Sequence, residues 1–428
     1  MRMSKVLDSS QVDPNSIDLL NPSFYGEGDP HLVWDAMRKR APIHWQNVEG
    51  KDGFWSVTKY EDSLRVLKDH NDFTSTRGTL LSILGVEDPA GEKQMAVTDP
   101  PKHAILRVPL QKALNPREIE KHIPRIRNEI RKLLLPMALG EPIDLATSMA
   151  SISTAAAGLI LNLPSEDWPL LTRLTNASIA PDDPEYLLPA GPEETMKRAH
   201  RELFAYFHDV VSDRRKSPKE DIVSILLDIE MDGERLTQGN IVSNLYSLLL
   251  GANVTTPHVP TASFLELIEN DLYEDWMLNF SEYAQSGLDE ALRWSSPASH
   301  FMRYAKNDVV LRGKQIKKGD AVVVWIGSAN RDEDIFSNPY QFDIRRKPNK
   351  HISFGFGPHH CVGHFAAKQT LGILFEEVFT NFESIKLAAT PEHLSSNFIA
   401  GIKHMQILAH PKKCAEMTLS EITLSEVN

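Results

Sequence analysis

One run limits the fold more than any other: "IVSNLYSLLLGANVTTPHVPTASFLELIEN", from Ile241 to Asn270. Its apolar residues recur at helical spacing, and Thr237 ahead of it is suited to cap a helix N-terminus. A single helix of that length extends about 50 Å, enough to cross a whole molecule, so the rest of the chain must wrap around it. Pro257 and Pro260 mark where the helix should open, because each lacks an N–H and frees a carbonyl, at Asn253 and Thr256 respectively.

The surrounding pattern predicts a mainly α protein with smaller β-sheets. An α-rich body is expected near 62–295 and 361–382, and β-rich portions near 42–60, 308–326 and 384–410. "PHLVWDAMRKR" and "SGLDEALRW" read as amphipathic helices, and "PIHWQNVEGKDGFWSVT" as a hairpin. No Gly/Ser linker, repeat or low-complexity block divides residues 1–428, which predicts one domain.

Charge narrows the function. Lys and Arg number 46 against 58 Asp and Glu, a net charge of −12 without a long basic run, which argues against a nucleic-acid partner. "LATSMASISTAAAGLILNLP" is long enough to span a bilayer but carries six Ser, Thr or Asn residues, and reads as a core helix of small side chains. The N-terminal stretch "MRMSKVLDSSQVDPNS" lacks the apolar run of a leader or anchor, and the two cysteines, Cys361 and Cys414, predict no disulfide framework. The expectation is a cytoplasmic protein with no membrane contact. The tail "KKCAEMTLSEITLSEVN" is expected to be loosely ordered, and Cys414 has no assigned role.

The chemistry concentrates in "HISFGFGPHHCVGHFAAKQ", residues 351–369. Gly355, Gly357 and Gly363 allow close backbone approach to a bulky group, and Cys361 precedes the helical pattern "VGHFAAKQTLGILFEEVF". A sulfur at a helix N-terminus faces unpaired N–H groups, which favours thiolate. A packed core thiol, a zinc site from His359, His360, Cys361 and His364, and a Cys nucleophile are the alternatives. The spacing suits zinc poorly, since adjacent side chains diverge and no second ligand pair stands out. One thiolate on a glycine-lined turn suits a ligand beneath a flat macrocycle.

Phe354, Gly355, Gly357, His359, Cys361 and Gly363 match F-x-x-G-x-H-x-C-x-G, and the segment resembles the haem-binding loop of the cytochrome P450 monooxygenases. The resemblance extends in order along almost the whole chain. It implies the α-rich triangular P450 fold, with haem b between a long distal helix and the Cys-loop helix. Cys361 would be the axial thiolate ligand of the iron, a sulfur anion that favours O–O cleavage, and His359 would contact a propionate. His103 and Arg107, spaced i, i+4 in "DPPKHAILR", and Arg303 in "PASHFMRYA" match the family's other propionate-binding residues. Glu290 and Arg293 supply its E-x-x-R pattern, and by position in "FDIRR" Arg346 would be their third partner, locking the coil before Cys361.

In "GANVTT" the resemblance makes Gly251 and Ala252 the small residues above the iron, and Thr255, followed by Thr256, the hydroxyl that bonds dioxygen or its water and helps deliver protons. Thr255 could equally bond back to the Gly251 carbonyl. The family's usual acid is replaced by Val254, which cannot relay a proton; Asn253, ordered water or a substrate group would substitute. The pocket is expected to draw on Leu80, Leu81, Leu84, Leu248, Phe301 and Phe398, with His300 as a polar anchor, and to take a mostly hydrophobic small molecule. "NASIAPDDPEYLLPAG" is a candidate flanking loop, and flanking loops of this kind can serve as lids.

The implied activity is insertion of one oxygen atom into an organic substrate, with electrons from a separate ferredoxin and flavoprotein reductase, since the chain ends soon after its C-terminal β region. Lys368 is expected in a basic docking patch. Oxidative coupling, desaturation or peroxide-driven oxidation on the same fold, a haem sensor or carrier, and a zinc hydrolase are the competing functions.

Overall fold

A computed structural model of the protein describes residues 8–420. Asp29 caps helix α1 (Pro30–Arg40) by accepting the His31 N–H, with proline at the first helical position, where a missing donor costs nothing. The hairpin follows as β1 (Ile43–Val48) and β2 (Lys51–Val57), antiparallel with Ile43 opposite Val57. A short β3 (Phe73–Thr74) then leads through irregular chain to α2 (Lys102–Ala113).

The helical body comprises α3 (Ile123–Ala138), α4 (Leu145–Leu161), α5 (Trp168–Ile179) and α6 (Pro192–Lys216). Helix α4 is the small-residue stretch, buried along most of its length. Its Met149, Ile152 and Leu159 join Ile126, Ile130 and Leu134 of α3 in one apolar cluster, while its Ala157 and Leu161 join a second with Leu203 and Phe207 of α6. No helix among the described residues is long and apolar enough to cross a membrane.

The 50 Å helix is where the expectation needs correction. Thr237 does cap it, accepting the Asn240 N–H, but the run divides into α7 (Gln238–Asn253) and α8 (His258–Glu269). Residues 254–257 form the turn between them. Pro257 has no N–H for the Asn253 carbonyl, and the next donors tighten to three-residue bonds, His258 N to Thr255 O and Val259 N to Thr256 O. The prolines break the helix instead of merely opening it.

After α9 (Phe280–Ser295) come β4 (His300–Ala305) and β5 (Ala321–Trp325). These complete a five-stranded sheet in the order β1–β2–β5–β4–β3, with β5 parallel to β2 and antiparallel to β4. β4 begins before the predicted 308–326 region. Its sequence "HFMRYA" is buried at five of six positions, so it carries no polar alternation to announce a strand. A coil from 332 leads to α10 (His364–Asn381), and β6 (Phe382–Leu387), β7 (Glu392–His393), β8 (Ile402–His404) and β9 (Gln406–Pro411) close the C-terminal β region.

The tail also departs from expectation. Residues Ala415–Ser420 form helix α11, with Ala415 and Leu419 buried in the same cluster as α3. Residues 1–7 and 421–428, the outer parts of the terminal stretches read above, lie outside the described residues.

Candidate active site

The Cys361 loop is a pinched turn. Gly355 and Gly357 both take positive φ, +71° and +73°, and a Cβ on Gly357 would lie 2.8 Å from Lys68 Cα, so side chains are excluded there twice over. Cys361 N donates to Phe354 O at 2.8 Å, closing the loop on itself. Gly363 differs: its φ of −89° suits any residue, and a Cβ there would meet no atom within 4 Å. It is the space beside it, not its backbone, that is distinctive.

Two networks hold this loop. The Glu290 carboxylate, fully buried, accepts from Arg293 Nε and Nη2 at 2.7 Å each, from Arg346 Nε at 3.2 and 3.1 Å, from Asp343 N at 2.9 Å and from Asn349 Nδ2 at 3.0 Å. The two guanidinium groups continue to the carbonyls of Ser337, Asn338, Pro339 and Gln341, so the coil is stitched to α9 along its length. Asn330, which the sequence reading missed, bonds the Ile352 N–H, Ser353 Oγ and Ser296 Oγ.

Beside the loop, four basic side chains converge. His103 and His359 rings lie 4.5 Å apart, and Arg107 Nη2 donates to the His360 carbonyl at 2.6 Å. Arg303 is buried, and among the described residues its side chain has the neighbouring Met302 carbonyl as its one hydrogen-bond acceptor. Burial and mutual repulsion push the group down: His359 to about 2, through burial and then Arg303, His103 and Arg107; His103 to about 4, through burial and Arg107; Arg303 to about 10, through burial. Asp99 is the acid that opposes this for His103 and Arg303, and it already accepts from Thr74 Oγ1, Ser75 N and Ser75 Oγ. Ser75 also meets His359 Nε2 at 3.3 Å. Neither Ser75 nor Asp99 was singled out from sequence, although Asp99 opens the quoted "DPPKHAILR". His103 Nε2 is buried without a hydrogen-bond partner. Such a cluster calls for an anion.

In the turn that follows α7, Thr255 Oγ1 donates to the Gly251 carbonyl at 2.8 Å, the back-bond anticipated from sequence. A Cβ on Gly251 would meet nothing within 4 Å. Val254, 1% exposed, is turned elsewhere, into a cluster with Ala180, Leu394 and Ile399. Asn253 is 3% exposed and follows Leu245 and Leu249 along the inward-packed stripe, its Oδ1 and Nδ2 both unpartnered.

A family profile described as Cytochrome P450 matches residues 172–408. Linalool 8-monooxygenase of Pseudomonas putida is 30% identical over 406 residues, covering 92% of this chain and 99% of that protein. The chain belongs to the cytochrome P450 family. A steroid C26-monooxygenase of Mycolicibacterium smegmatis is 31% identical over 92% of this chain and 94% of its own length. Among solved structures, P450 OxyD, involved in the biosynthesis of vancomycin-type antibiotics, superposes with a TM-score of 0.83 at 29% identity, covering 92% of this chain and all of that one. The Mycobacterium marinum P450 CYP268A2 in complex with pseudoionone gives 0.85 at 25% identity, over 93% and 100%. The protein is thus a P450 monooxygenase, with the family's haem and cysteine thiolate ligation, a small-molecule substrate and redox partners.

The residues fit a P450 haem. Leu248 and Ala252 of α7, Val362 just before α10, and Phe365 and Ala366 of α10 are apolar yet only half-buried, and all flank one core cluster. The unpartnered His103 Nε2 and the two arginines, Arg107 and Arg303, suit two carboxylates at one edge of a flat apolar group. The cysteine expectation needs qualification: Cys361 lies three residues before α10, and burial raises its thiol despite the Gly363 N–H and Arg107. Metal coordination, not the helix terminus, would hold it as thiolate. Among the described residues no group of three or more His, Cys, Asp or Glu could hold a metal ion.

Several pocket expectations fail. Leu81 and Leu84 are buried in a core cluster with Trp34, Met302 and Trp325. His300 cannot be a free anchor, because Nε2 accepts from Leu81 N at 3.0 Å and Nδ1 meets Asn397 O at 3.3 Å. Leu80, Leu248, Phe301 and Phe398 stay half-buried, with Phe398 against Phe301 at 6.4 Å between ring centroids. Lys368 is no free docking cation either, since Nζ contacts Asp289 Oδ1 at 2.6 Å.

Proposed function

We propose that Cys361 ligates the haem iron, that His103, Arg107, Arg303 and His359 hold the propionates, and that the chain works as one catalytic unit oxidising a mostly apolar small molecule. The convergence of four basic groups at one side of the Cys361 loop carries this assignment. Glu290, Arg293 and Arg346 are the structural network that fixes the coil, and Phe354, Gly355 and Gly363 shape the loop around the ligand.

When bound, the haem supplies activation of dioxygen. The chain's own part on the distal side is to hold a hydroxyl in place and to leave room. Gly251 and Ala252 present little bulk, and Thr255, fixed through its bond to Gly251 O, keeps its oxygen lone pairs available to accept from water or substrate. Thr256 adds a second hydroxyl at the helix break. Val254 and Asn253 are both packed inward, so neither replaces the missing acid; ordered water or a substrate group is left to serve with the two threonines.

Leu80, Leu248, Phe301 and Phe398 favour an apolar substrate, and the relatives named for linalool and steroids act on molecules of that kind. A cytoplasmic enzyme fed by a ferredoxin and a flavoprotein ferredoxin reductase is the partner arrangement that suits it. The reduced, carbon monoxide-bound spectrum tests the ligand: a strongly red-shifted Soret band in the native protein, lost in Cys361→His, supports thiolate ligation by Cys361, and an unshifted band in the native protein overturns it. Titration with terpenoid alcohols and sterols, followed by product analysis under labelled dioxygen, tests the substrate class and separates oxygen insertion from coupling or desaturation.

A further inference from the structure

The segment between α5 and α6, residues 180–191, carries three acids in "PDDPEYLLPAG" and lies against β8, whose last two residues are Lys403 and His404. Two fastenings join them. Asp183, fully buried, accepts from Lys403 Nζ at 2.8 Å and from Ser395 N at 3.0 Å. His404 places Nδ1 2.6 Å from Asp144 Oδ2 and Nε2 3.0 Å from Glu185 Oε2. Beneath the segment, Ala180 packs with Val254, Leu394 and Ile399, and Tyr186, Leu250 and Phe398 complete the cluster. The segment therefore covers α7 next to Gly251 and Thr255.

We propose that protonation of His404 tightens residues 180–191, the flanking loop read from sequence as a candidate lid, by clasping Glu185 as a strap across α7. This rests on the functional reading above and adds a control that the reading does not contain.

The geometry sets the logic. A neutral imidazole has one N–H and can donate to only one of two carboxylates, so both contacts are satisfied only by the cation. The two carboxylates are not equivalent. Asp144 is anchored: its Oδ1 accepts from Ala146 N as the α4 cap and from Met405 N, and Thr147 Oγ1 bonds Oδ2. Glu185 rides on the strap, and its side chain is 39% exposed against 15% for Asp144. On deprotonation the remaining proton stays on Nδ1 with the closer, less exposed Asp144. The contact to Glu185 is the one released.

The charges around the ring agree in sign. Asp144 faces it from the start of α4 and Glu185 from the strap, while Glu392 lies opposite in the β7–β8 register with His393 beside it; Lys403 is the adjacent cation, already paired with Asp183. His404 is accordingly raised above its ordinary 6.5, chiefly by the bond to Asp144, with burial opposing. The clasp is therefore fully present below 6.5 and is lost as pH rises through the raised value, while the Lys403–Asp183 pair persists.

Hydrogen–deuterium exchange on the haem-loaded enzyme reads the clasp directly, because Tyr186 N, Leu187 N and Gly191 N are bonded within the strap. Corrected for intrinsic exchange, protection of peptides covering 180–191 should be about two- to five-fold higher near pH 6 than near pH 9, the range for an ion pair this exposed. Glu185→Gln should flatten that contrast. The association rate of 1-phenylimidazole with the ferric haem, corrected for its own protonation, should rise with pH in the native protein and be high at both pH values in Glu185→Gln. Protection that does not depend on pH, or a contrast that survives Glu185→Gln, overturns the clasp. A protection contrast unaccompanied by any change in ligand association overturns the strap as a gate, and leaves the haem ligation, tested by its own spectrum, untouched.

Discussion

Arg346 and Glu290, 56 residues apart in sequence, share a buried contact in which one guanidinium nitrogen lies 3.2 and 3.1 Å from the two carboxylate oxygens. Glu290→Ala removes the anion that lies between two buried cations, Arg293 and Arg346. That should cost about 3–5 kcal/mol, the usual penalty for breaking a buried pair. A lowered thermal midpoint together with reduced haem content on purification checks it; unchanged melting would mean the network carries no stability.

The same carboxyl sets an acid limit. Burial tends to raise Glu290, but Arg293 and Arg346 outweigh it and hold the group below its ordinary 4.5. Its contribution is thus intact above 4.5 and disappears as pH falls through the lower folded value. Soret absorbance followed during acid titration should collapse only below that ordinary value, and the collapse should move to higher pH in Arg346→Lys.

Arg303 offers a test in which two readouts move in opposite directions. Burial outweighs the offsetting charge of Asp99 at this group, so Arg303→Met should stabilise the haem-free protein, by about 1–4 kcal/mol, the usual gain where buried charge gives way to an apolar side chain. The same change should weaken haem retention by about tenfold or more, as one charge-assisted contact is lost. Melting of the apoprotein and haem transfer to excess apomyoglobin measure the two arms. A mere structural arginine would shift both downward.

For Val254→Asp, a gain in turnover would mark proton supply as the handicap, and no effect would point to another relay. With Val254 enclosed by Ala180, Leu394 and Ile399, the new carboxyl has no partner. The expected result is a loss of about 2 kcal/mol or more in stability and no increase in product rate. A clear rise in turnover would show that the turn at 254–257 can rotate this side chain toward the haem.

Thr255→Ala should leave folding intact, because the lost bond is a local back-bond from the turn to the last helical turn of α7. Product formed per electron pair should fall by about tenfold or more, with peroxide making up the difference, whereas Thr255→Ser retains most of the coupling. Oxygen uptake, peroxide and product are measured together, and equal coupling in all three proteins would remove the threonine from proton handling.

What the sequence disclosed was whatever is encoded locally. The glycines around Cys361, the i, i+3 pair Glu290 and Arg293, and the Thr255 back-bond all follow from spacing within one segment. Arg346 was reachable because its position in "FDIRR" is tied to the family pattern. Apolar residues were less legible: Leu81, Leu84 and Leu80 look alike in sequence, yet the first two are core and the third is half-buried. Ser75 was missed because its role depends on His359, more than 250 residues away, with no local mark; Asp99 stands four residues before His103, but its tie to Arg303 spans distant parts of the sequence. The break at 254–257 was half seen: the prolines announce lost bonds, but not whether a helix bends or divides.

The stitched coil has a consequence for assembly. Glu290, Arg293, Arg346 and Asn330 fasten the approach to Cys361 entirely through protein–protein bonds, none of which needs a prosthetic group. The thiol's berth is thereby held by contacts the chain makes with itself, so substitutions at these four residues are expected to lower haem uptake without altering any group that touches the cargo.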